Sequence, residues 1–230
     1  MLVTGYDGDR IAFQHELDHG VDPLELGRAD GYRALRPLAA HRLPTGRLTL
    51  DLAVAPTEPG PPAEPAPALQ DRDLDRSELT SPPKPRQRIA AYGLITSERG
   101  LLATEYSDLT SVAGLWGLAG GGVEDDEQPV EALTREAYEE AGQRVEVAEL
   151  FMINSGRWIR RPLGPGLPQD LHTIRLFYRG WCAEPVEPVV HDVGGTTSAA
   201  RWVPLDALSE VPWAGRLHAL IESALSIGTN

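Results

Sequence analysis

A glycine turn followed by an acidic helix is the feature of this chain that most constrains its fold. Gly121 precedes the segment, Gly142 ends it, and three glutamates stand between them at i, i+3 and i+4: Glu136, Glu139 and Glu140. Side chains at this spacing project from neighbouring positions on one helix surface. Like charges so placed destabilise a helix by about 0.2–0.5 kcal/mol per pair. A shared cation would remove that repulsion, and carboxylate oxygens suit Mg2+ or Mn2+.

The helix that carries these glutamates is predicted to run from Gln128-Pro129 to Gly142, because proline favours a first helical turn and glycine a left-handed helix end. Three consecutive glycines, 120–122, let the backbone turn sharply and approach a ligand closely, so Gly121 and Gly122 are expected to contact substrate. Apolar alternation predicts strands around the helix and a closing helix at 212–225. The predicted strands are 88–96, 101–106, 115–118, 145–154, 171–181 and 201–203. These elements together predict an α/β sandwich.

The first 55 residues predict a small β-rich module, with strands at 11–17 and 48–54 and room for a short helix between them. A module of this size is marginal alone, so we expect it to pack on the larger domain or on a second copy of the chain, which would form a homodimer. Residues 56–86 are rich in proline and predict an exposed linker, with a short helical turn at 71–79. The expected division is therefore 1–55, 56–86 and 87–230.

Charge and cysteine content narrow the classes of partner and compartment. The net charge of −13 argues against non-specific binding to nucleic acid or to an anionic membrane. The chain has no long apolar run, and its first residues lack the apolar core of a signal peptide. Cys182 is the single cysteine, which precludes an internal disulfide and fits a reducing cytoplasm.

The segment that begins at Gly121 resembles the Nudix box of the Nudix hydrolase family. The resemblance rests on residues at fixed spacing: Gly121-x5-Glu127-x7-Arg135-Glu136-Ala137-x-Glu139-Glu140-x-Gly142. It extends more weakly over residues 87–226. It implies a Nudix-like α/β/α sandwich with a mixed sheet, preceded by the β-rich module, for which we identify no related family.

The resemblance also implies a role for each matching residue. Glu136, Glu139 and Glu140 correspond to the glutamates that hold Mg2+ against a diphosphate. Arg135 and Glu127 correspond to an ion pair that orients the catalytic helix. The general base varies within the family, and Glu139 is our assignment for it. The implied catalytic residues are thus Glu139, Glu136, Arg135 and Glu127.

The function that follows is Mg2+-dependent hydrolysis of a diphosphate linkage in a nucleoside diphosphate joined to another moiety. ADP-ribose, a nucleotide sugar and a nucleoside triphosphate are all substrates of this nucleotide type. Metal ions neutralise the charge of a diphosphate, activate a water and stabilise the leaving phosphate. The alternative is a non-catalytic Nudix sensor or regulatory module that binds a nucleotide. Intact carboxylates favour the hydrolase, since a pure binder does not need all of them.

Residues outside the box leave several interpretations open. Asp192 and Glu187 are candidates for an acidic residue that completes the metal site, or are surface carboxylates. Arg157 and Trp158, expected in a loop between strands, are candidates for contacts to phosphate and to a ring, or are an exposed arginine and a loop anchor. Gln143 stands where the Nudix family usually has an aliphatic residue.

A second pattern, His15-Glu16-Leu17-Asp18-His19, fits H-E-x-x-H. A catalytic zinc site of this type places both histidines on a helix. Here the flanking residues alternate as in a strand and Gly20 follows at once. We therefore predict an ordinary strand.

Overall fold

The computed structural model describes residues 1–70, 74, 79, 81–161 and 166–227. Its twelve strands are β1 (Leu2–Asp7), β2 (Arg10–Glu16), β3 (Tyr32–Arg42), β4 (Leu48–Pro56), β5 (Leu69–Gln70), β6 (Lys84–Ser97), β7 (Gly100–Tyr106), β8 (Trp116–Leu118), β9 (Gly120–Gly122), β10 (Glu146–Arg160), β11 (Gln169–Trp181) and β12 (Thr197–Val203). The α-helices are α1 (Pro129–Ala141) and α2 (Leu217–Ile227), and two 3-10 helices span Pro23–Arg28 and Leu208–Glu210.

The strands form two sheets. The N-terminal sheet has the order β2-β1-β4-β3, with β1 and β4 parallel and the outer pairs antiparallel. The second sheet has the order β12-β7-β6-β11-β10-β5, and β8 and β9 pair with β7 and β6. It is mixed, because β5 is parallel to β10 while β12, β6 and β8 are antiparallel to β7. The predicted α/β fold with a mixed sheet and a β-rich N-terminal module is confirmed.

Residue contacts divide the chain into two compact units that do not follow chain order. The first unit contains Met1–Ala90, Gly122–Pro129 and Glu149–Phe177, and the second contains Ala91–Gly121, Val130–Ala148 and Tyr178–Asn230. The sequence-based boundaries at 55 and 86 stay a prediction.

Each unit has its own buried apolar residues. In the first unit, Leu50 and Leu52 of β4 are fully buried together with Val3 of β1. In the second unit, the fully buried apolar side chains lie on β6, β7, α1 and α2: Ile95, Leu101, Leu102, Leu133 and Ile221. These residues recur at strand or helix spacing, which is why the sequence pattern predicted most of the elements that carry them.

Two strands of the N-terminal sheet were not predicted. The segment expected to leave room for a short helix contains the 3-10 helix Pro23–Arg28, capped by the Asp22 side chain, and then the strand β3. β3 is irregular against β4, with register shifts between Ala34 and Arg36 and between Pro37 and Ala39. β1 has a similar shift at Gly5. Such irregularities break the two-residue period on which strand prediction depends.

Two further predictions concern the linker and the closing helix. The helical turn expected at 71–79 lies outside the described residues, apart from positions 74 and 79. α2 begins at Leu217 rather than at Pro212. The residues before it are engaged elsewhere, because Trp116 N–H donates to Pro212 O at 3.0 Å and Ala214 N–H donates to Trp116 O at 2.9 Å.

Candidate active site

α1 carries the three predicted glutamates and has the ends expected from its sequence. It begins at Pro129 and ends at Ala141, directly before Gly142, whose φ of 68° is left-handed. The Gly142 N–H donates to Tyr138 O at 2.7 Å. The helix is held in the second unit by fully buried Leu133 and Ala137. This leaves the glutamate positions on a fixed backbone.

Glu140 is the most buried of the three glutamates, with 7% of its surface exposed. Its Oε2 accepts the Gly120 N–H at 2.9 Å, and its Oε1 accepts the Thr197 hydroxyl at 2.5 Å. Burial raises the pKa of Glu140 to about 7; the two hydrogen bonds oppose that rise, and the charges of Glu136 and Asp192 add to it. Glu140 therefore ties α1 to the glycine turn and to β12 within a locally negative environment.

Arg135 lies between the other two glutamates. Its Nη1 donates to Glu139 Oε2 at 2.9 Å and lies 3.1 Å from Glu136 Oε1. Gly121 approaches the same group so closely that an added Cβ would collide with the Glu136 carboxylate. The structure thus brings four predicted site residues of the second unit together, and a side chain at position 121 would displace the Glu136 carboxylate.

A segment after β11 runs along the carboxyl half of α1. The His191 and Asp192 N–H groups both donate to Glu139 O, at 2.7 and 3.1 Å, and Val189 N–H donates to Ala141 O at 3.1 Å. Asp192 acts on the pKa of Glu140, whereas Glu187 pairs with Arg99 at 2.7 Å and has a side chain that is 83% exposed. Of the two acidic candidates outside the box, only Asp192 lies beside a predicted metal ligand.

Gln143 binds the segment after β11 to the end of α1. It is 1% exposed, and its Nε2 donates to Ala141 O at 2.7 Å and to Val186 O at 3.3 Å. Its Oε1 accepts the Val186 N–H at 3.1 Å. An aliphatic residue could make none of these bonds. The departure from the usual family residue, visible in the sequence, therefore has a structural role that the sequence alone did not reveal.

The remaining predicted site residues belong to the first unit. Gly122 lies at the end of β9, where an added Cβ would be 3.2 Å from an Arg88 nitrogen. Glu127 lies in the loop before α1, and its Oε2 accepts the Glu124 N–H at 3.2 Å. The predicted ion pair between Glu127 and Arg135 stays a prediction.

Arg157 and Trp158 lie in β10 and not in a loop. The strand runs to Arg160, and it lies between β11 and β5, with Leu69 of β5 opposite Trp158. The Arg157 guanidinium donates to both carboxylate oxygens of Asp170, at 2.8 and 2.5 Å, and the Trp158 ring lies 4.8 Å from the Arg175 guanidinium. Their predicted contacts with substrate stay predictions, but each side chain is already engaged within the protein.

The two histidines of the H-E-x-x-H pattern have different partners. His15, in β2, lies 2.6 Å from Asp30. His19 follows the strand, and its Nε2 is 3.1 Å from Asp170 Oδ1, at ion-pair distance but outside hydrogen-bond geometry. The flanking residues form a strand, as predicted, and not the helix that this kind of zinc site requires.

The donor types on α1 fit a hard divalent cation. Glu136, Glu139 and Glu140 offer the carboxylate oxygens that Mg2+ prefers. Burial raises the pKa of Glu140, and a bound cation would favour its charged form. Within the described ranges, no three His, Cys, Asp or Glu side chains converge closely enough to hold a metal ion together. The glutamate side chains would therefore have to reorient around an ion, displacing Arg135 from its position between Glu136 and Glu139.

The NUDIX domain family matches residues 86–221, which is more than half of the chain. The chain belongs to the NUDIX family. The resemblance predicted from the box is confirmed, and this membership classes the protein with the Nudix hydrolases.

Two relatives are similar to this chain over part of its length. The chain is 45% identical over 74 residues to a MutT-like protein of Streptomyces ambofaciens, covering 32% of this chain and 44% of the relative. It is 39% identical over 95 residues to the nucleoside triphosphatase NudI of Escherichia coli O139:H28, covering 40% and 67%. The chain therefore spans less than half of the length of the first relative and about two thirds of the second.

Two solved structures are similar to this chain at low sequence identity. The MutT protein of Methanosarcina mazei Go1 has a TM-score of 0.47 and 21% identity, covering 65% of this chain and all of that one. The NUDIX domain of Shewanella oneidensis NrtR, complexed with ADP ribose, has a TM-score of 0.48 and 18% identity, covering 68% and 95%. Among the described residues, no helix is long and apolar enough to cross a membrane.

Proposed function

We propose that this protein hydrolyses a diphosphate linkage in a nucleoside diphosphate joined to another moiety, using Mg2+ or Mn2+. The observation that carries the proposal is the arrangement of Gly121, Arg135, Glu136, Glu139 and Glu140 around α1 in a member of the NUDIX family. The similarity to a nucleoside triphosphatase supports a nucleoside triphosphate as one candidate substrate, beside ADP-ribose and nucleotide sugars.

Each residue of this arrangement has a separate task. Glu136, Glu139 and Glu140 would hold the divalent metal ion, which would supply positive charge against the diphosphate and lower the pKa of a water. Glu139, whose side chain is 42% exposed, accepts the proton of the attacking water as general base. Arg135 holds the carboxylates of Glu136 and Glu139 in place while no metal is bound.

Glu140 and the glycine turn shape the site. Glu140 fixes the Gly120 amide, and the absence of a side chain at Gly121 lets the turn lie against Glu136. The water oxygen attacks one phosphorus as the bond from that phosphorus to the bridging oxygen breaks. The products are two phosphate-bearing fragments.

The test is a turnover assay with Mg2+ and a panel of ADP-ribose, nucleotide sugars, dinucleoside polyphosphates and nucleoside triphosphates. We expect turnover of at least one compound, and a loss of about 100-fold or more in kcat in Glu139→Gln and Glu140→Gln. Glu222→Gln on α2 is the matched control, since its exposed pair with His218 contributes little.

The same panel separates the two functions. Tight nucleotide binding without turnover of any compound by the wild-type protein would contradict hydrolysis and identify a nucleotide-binding sensor. A homodimer, the absence of nucleic-acid binding and a cytoplasmic location stay predictions.

A further inference from the structure

Arg42, the last residue of β3 in the N-terminal sheet, contacts the loop that leads into α1. Its Nη2 donates to Glu124 O at 2.8 Å and its Nε donates to Glu127 O at 3.0 Å. Its Nη1 donates to Gly46 O at 2.6 Å. Every nitrogen of the guanidinium therefore donates to a main-chain carbonyl, two of them in the segment between the glycine turn and the catalytic helix.

The backbone of Arg42 makes a second pair of bonds to the same loop. Its N–H donates to Gln128 Oε1 at 2.7 Å, and its carbonyl accepts the Gln128 Nε2 at 3.0 Å. The Gln128 side-chain amide thus forms with the Arg42 main chain, at the end of β3, the two hydrogen bonds that a neighbouring strand would form. Pro129, the first residue of α1, follows directly.

The loop needs such an attachment because it is acidic and mostly exposed. Glu124, Asp125 and Asp126 are all exposed and precede Glu127, so four carboxylates follow one another. Like charges at this spacing repel one another, and a cation bound to the loop carbonyls offsets that repulsion. Within the loop, Glu127 N–H donates to Glu124 O at 3.3 Å, the same oxygen that Arg42 contacts.

We propose that Arg42 of the N-terminal module is a positioning residue for catalysis. By fixing the loop 122–128, it sets the position of Glu127, two residues before α1. This inference rests on the proposed hydrolysis. It gives the front module a role in holding the loop that carries Glu127. Gln128 is its partner in the loop.

The kinetic test compares Arg42→Lys with Arg33→Lys in the full chain. Lysine keeps the charge but cannot reach three carbonyls in the fixed geometry of a guanidinium. We expect kcat to fall roughly 10- to 100-fold in Arg42→Lys. We expect KM for the substrate to change less than about threefold. Arg33 lies on the same strand with an exposed side chain, so Arg33→Lys should keep the wild-type kcat and KM.

A second variant probes the partner. Gln128→Glu keeps an acceptor for the Arg42 N–H but removes the donor to the Arg42 carbonyl. We expect a smaller loss in kcat than in Arg42→Lys. The double variant should lose less than the product of the two single losses, because both substitutions release one loop.

Hydrogen exchange makes the inference testable without turnover. In Arg42→Lys, the amides of residues 122–128 should exchange about tenfold faster, with no change in α2 or β1. If the wild-type protein hydrolyses nothing, the proposed function fails while exchange still decides whether Arg42 fixes the loop. Wild-type kcat together with wild-type exchange in Arg42→Lys would overturn the inference. Faster exchange across the whole chain, with a lowered unfolding midpoint, would also overturn it and show a general role in stability.

Discussion

The residues that lead into α1 are held by one arginine from β3, whereas the residues that follow α1 are held by a buried glutamine. Before the helix, the bonds end on main-chain carbonyls of an exposed acidic loop. After it, Gln143 is 1% exposed and bonds to Ala141 and Val186. Water can replace partners that are exposed, but a buried group that loses its partner stays unpaired. Breaking the first attachment should therefore affect catalysis, and breaking the second should affect stability.

The largest expected effect is on stability, and it compares Gln143 after α1 with Gln128, the partner of Arg42 before α1. Gln143→Leu leaves the Val186 N–H without its side-chain acceptor, whereas the Ala141 carbonyl keeps the Val189 N–H and the Val186 carbonyl keeps the Trp202 indole N–H. One unpaired donor and two lost hydrogen bonds to those carbonyls should together lower the free energy of unfolding by about 3 kcal/mol. Gln128→Leu, in the more exposed loop, should lose about 1 kcal/mol or less. Urea unfolding of both variants measures this, and equal losses would contradict the contrast between the two attachments.

The next prediction concerns a buried histidine of the first unit. Burial lowers the pKa of His172 to about 4, with the nearby charges of His19 and Arg157 lowering it further and Asp170 opposing them. Because the unfolded chain binds this proton near pH 6.5, it holds more protons than the folded chain between pH 6.5 and 4. The stabilisation is thus complete above pH 6.5 and is lost as pH falls towards 4, by an amount on the order of 3 kcal/mol.

Urea midpoints at pH 7 and pH 4.5 check this acid sensitivity, which His172→Gln should reduce. His172 Nδ1 accepts the Gly20 N–H at 3.0 Å, so the neutral ring carries its proton on Nε2, 3.0 Å from Ser155 Oγ. An unchanged pH dependence in the variant would assign the acid sensitivity to other groups.

A side chain at Gly121, in the glycine turn of the second unit, should displace the Glu136 carboxylate. In Gly121→Ala the new Cβ would collide with Glu136, so we expect kcat to fall about 100-fold, equal to about 2.7 kcal/mol. Gly215→Ala is the control, since its Cβ would meet nothing within 4 Å and its φ of 58° costs only about 1–2 kcal/mol of stability. Turnover by Gly121→Ala at the wild-type rate would show that Glu136 need not stay where the structure has it.

The smallest effects distinguish the two acidic candidates outside the box. Asp192→Asn removes a charge that acts on Glu140, and we expect kcat to fall about tenfold and the Mg2+ concentration for half-maximal rate to rise. Glu187→Gln breaks an exposed pair with Arg99 and should change stability by about 0.5 kcal/mol or less. Titration of the rate with Mg2+ in both variants measures the difference. Equal effects would remove the reason to prefer Asp192.

Much of the second unit was predictable because its signals are local. The bounds of α1 follow from Pro129 and Gly142, and the spacing of the glutamates places them on one helix surface. The position of Gln143 was visible as a departure from the family, but its partner Val186 is far along the chain. A lone glutamine has no spacing that predicts such a partner.

The first unit was less predictable because its regularity is interrupted. Register shifts in β3 break the alternation of apolar and polar residues, so the strand that ends at Arg42 could not be predicted. The proline-rich segment, predicted as a linker, contains the short strand β5. Arg157 and Trp158 were expected in a loop, but they lie in β10, and β5 from the proline-rich segment pairs with this end of the strand. Pairing of this kind depends on residues distant in sequence and not on local propensity.

The sequence by itself determined the family, the acidic helix and the chemistry that its carboxylates can support, because helix periodicity converts spacing into a shared surface. Only the tertiary structure decided that Glu140 is the buried glutamate, that Asp192 rather than Glu187 acts on it, and that Arg42 attaches the N-terminal sheet to the loop before α1. Burial and hydrogen bonding between distant segments arise from packing of the whole chain, and no local pattern records them.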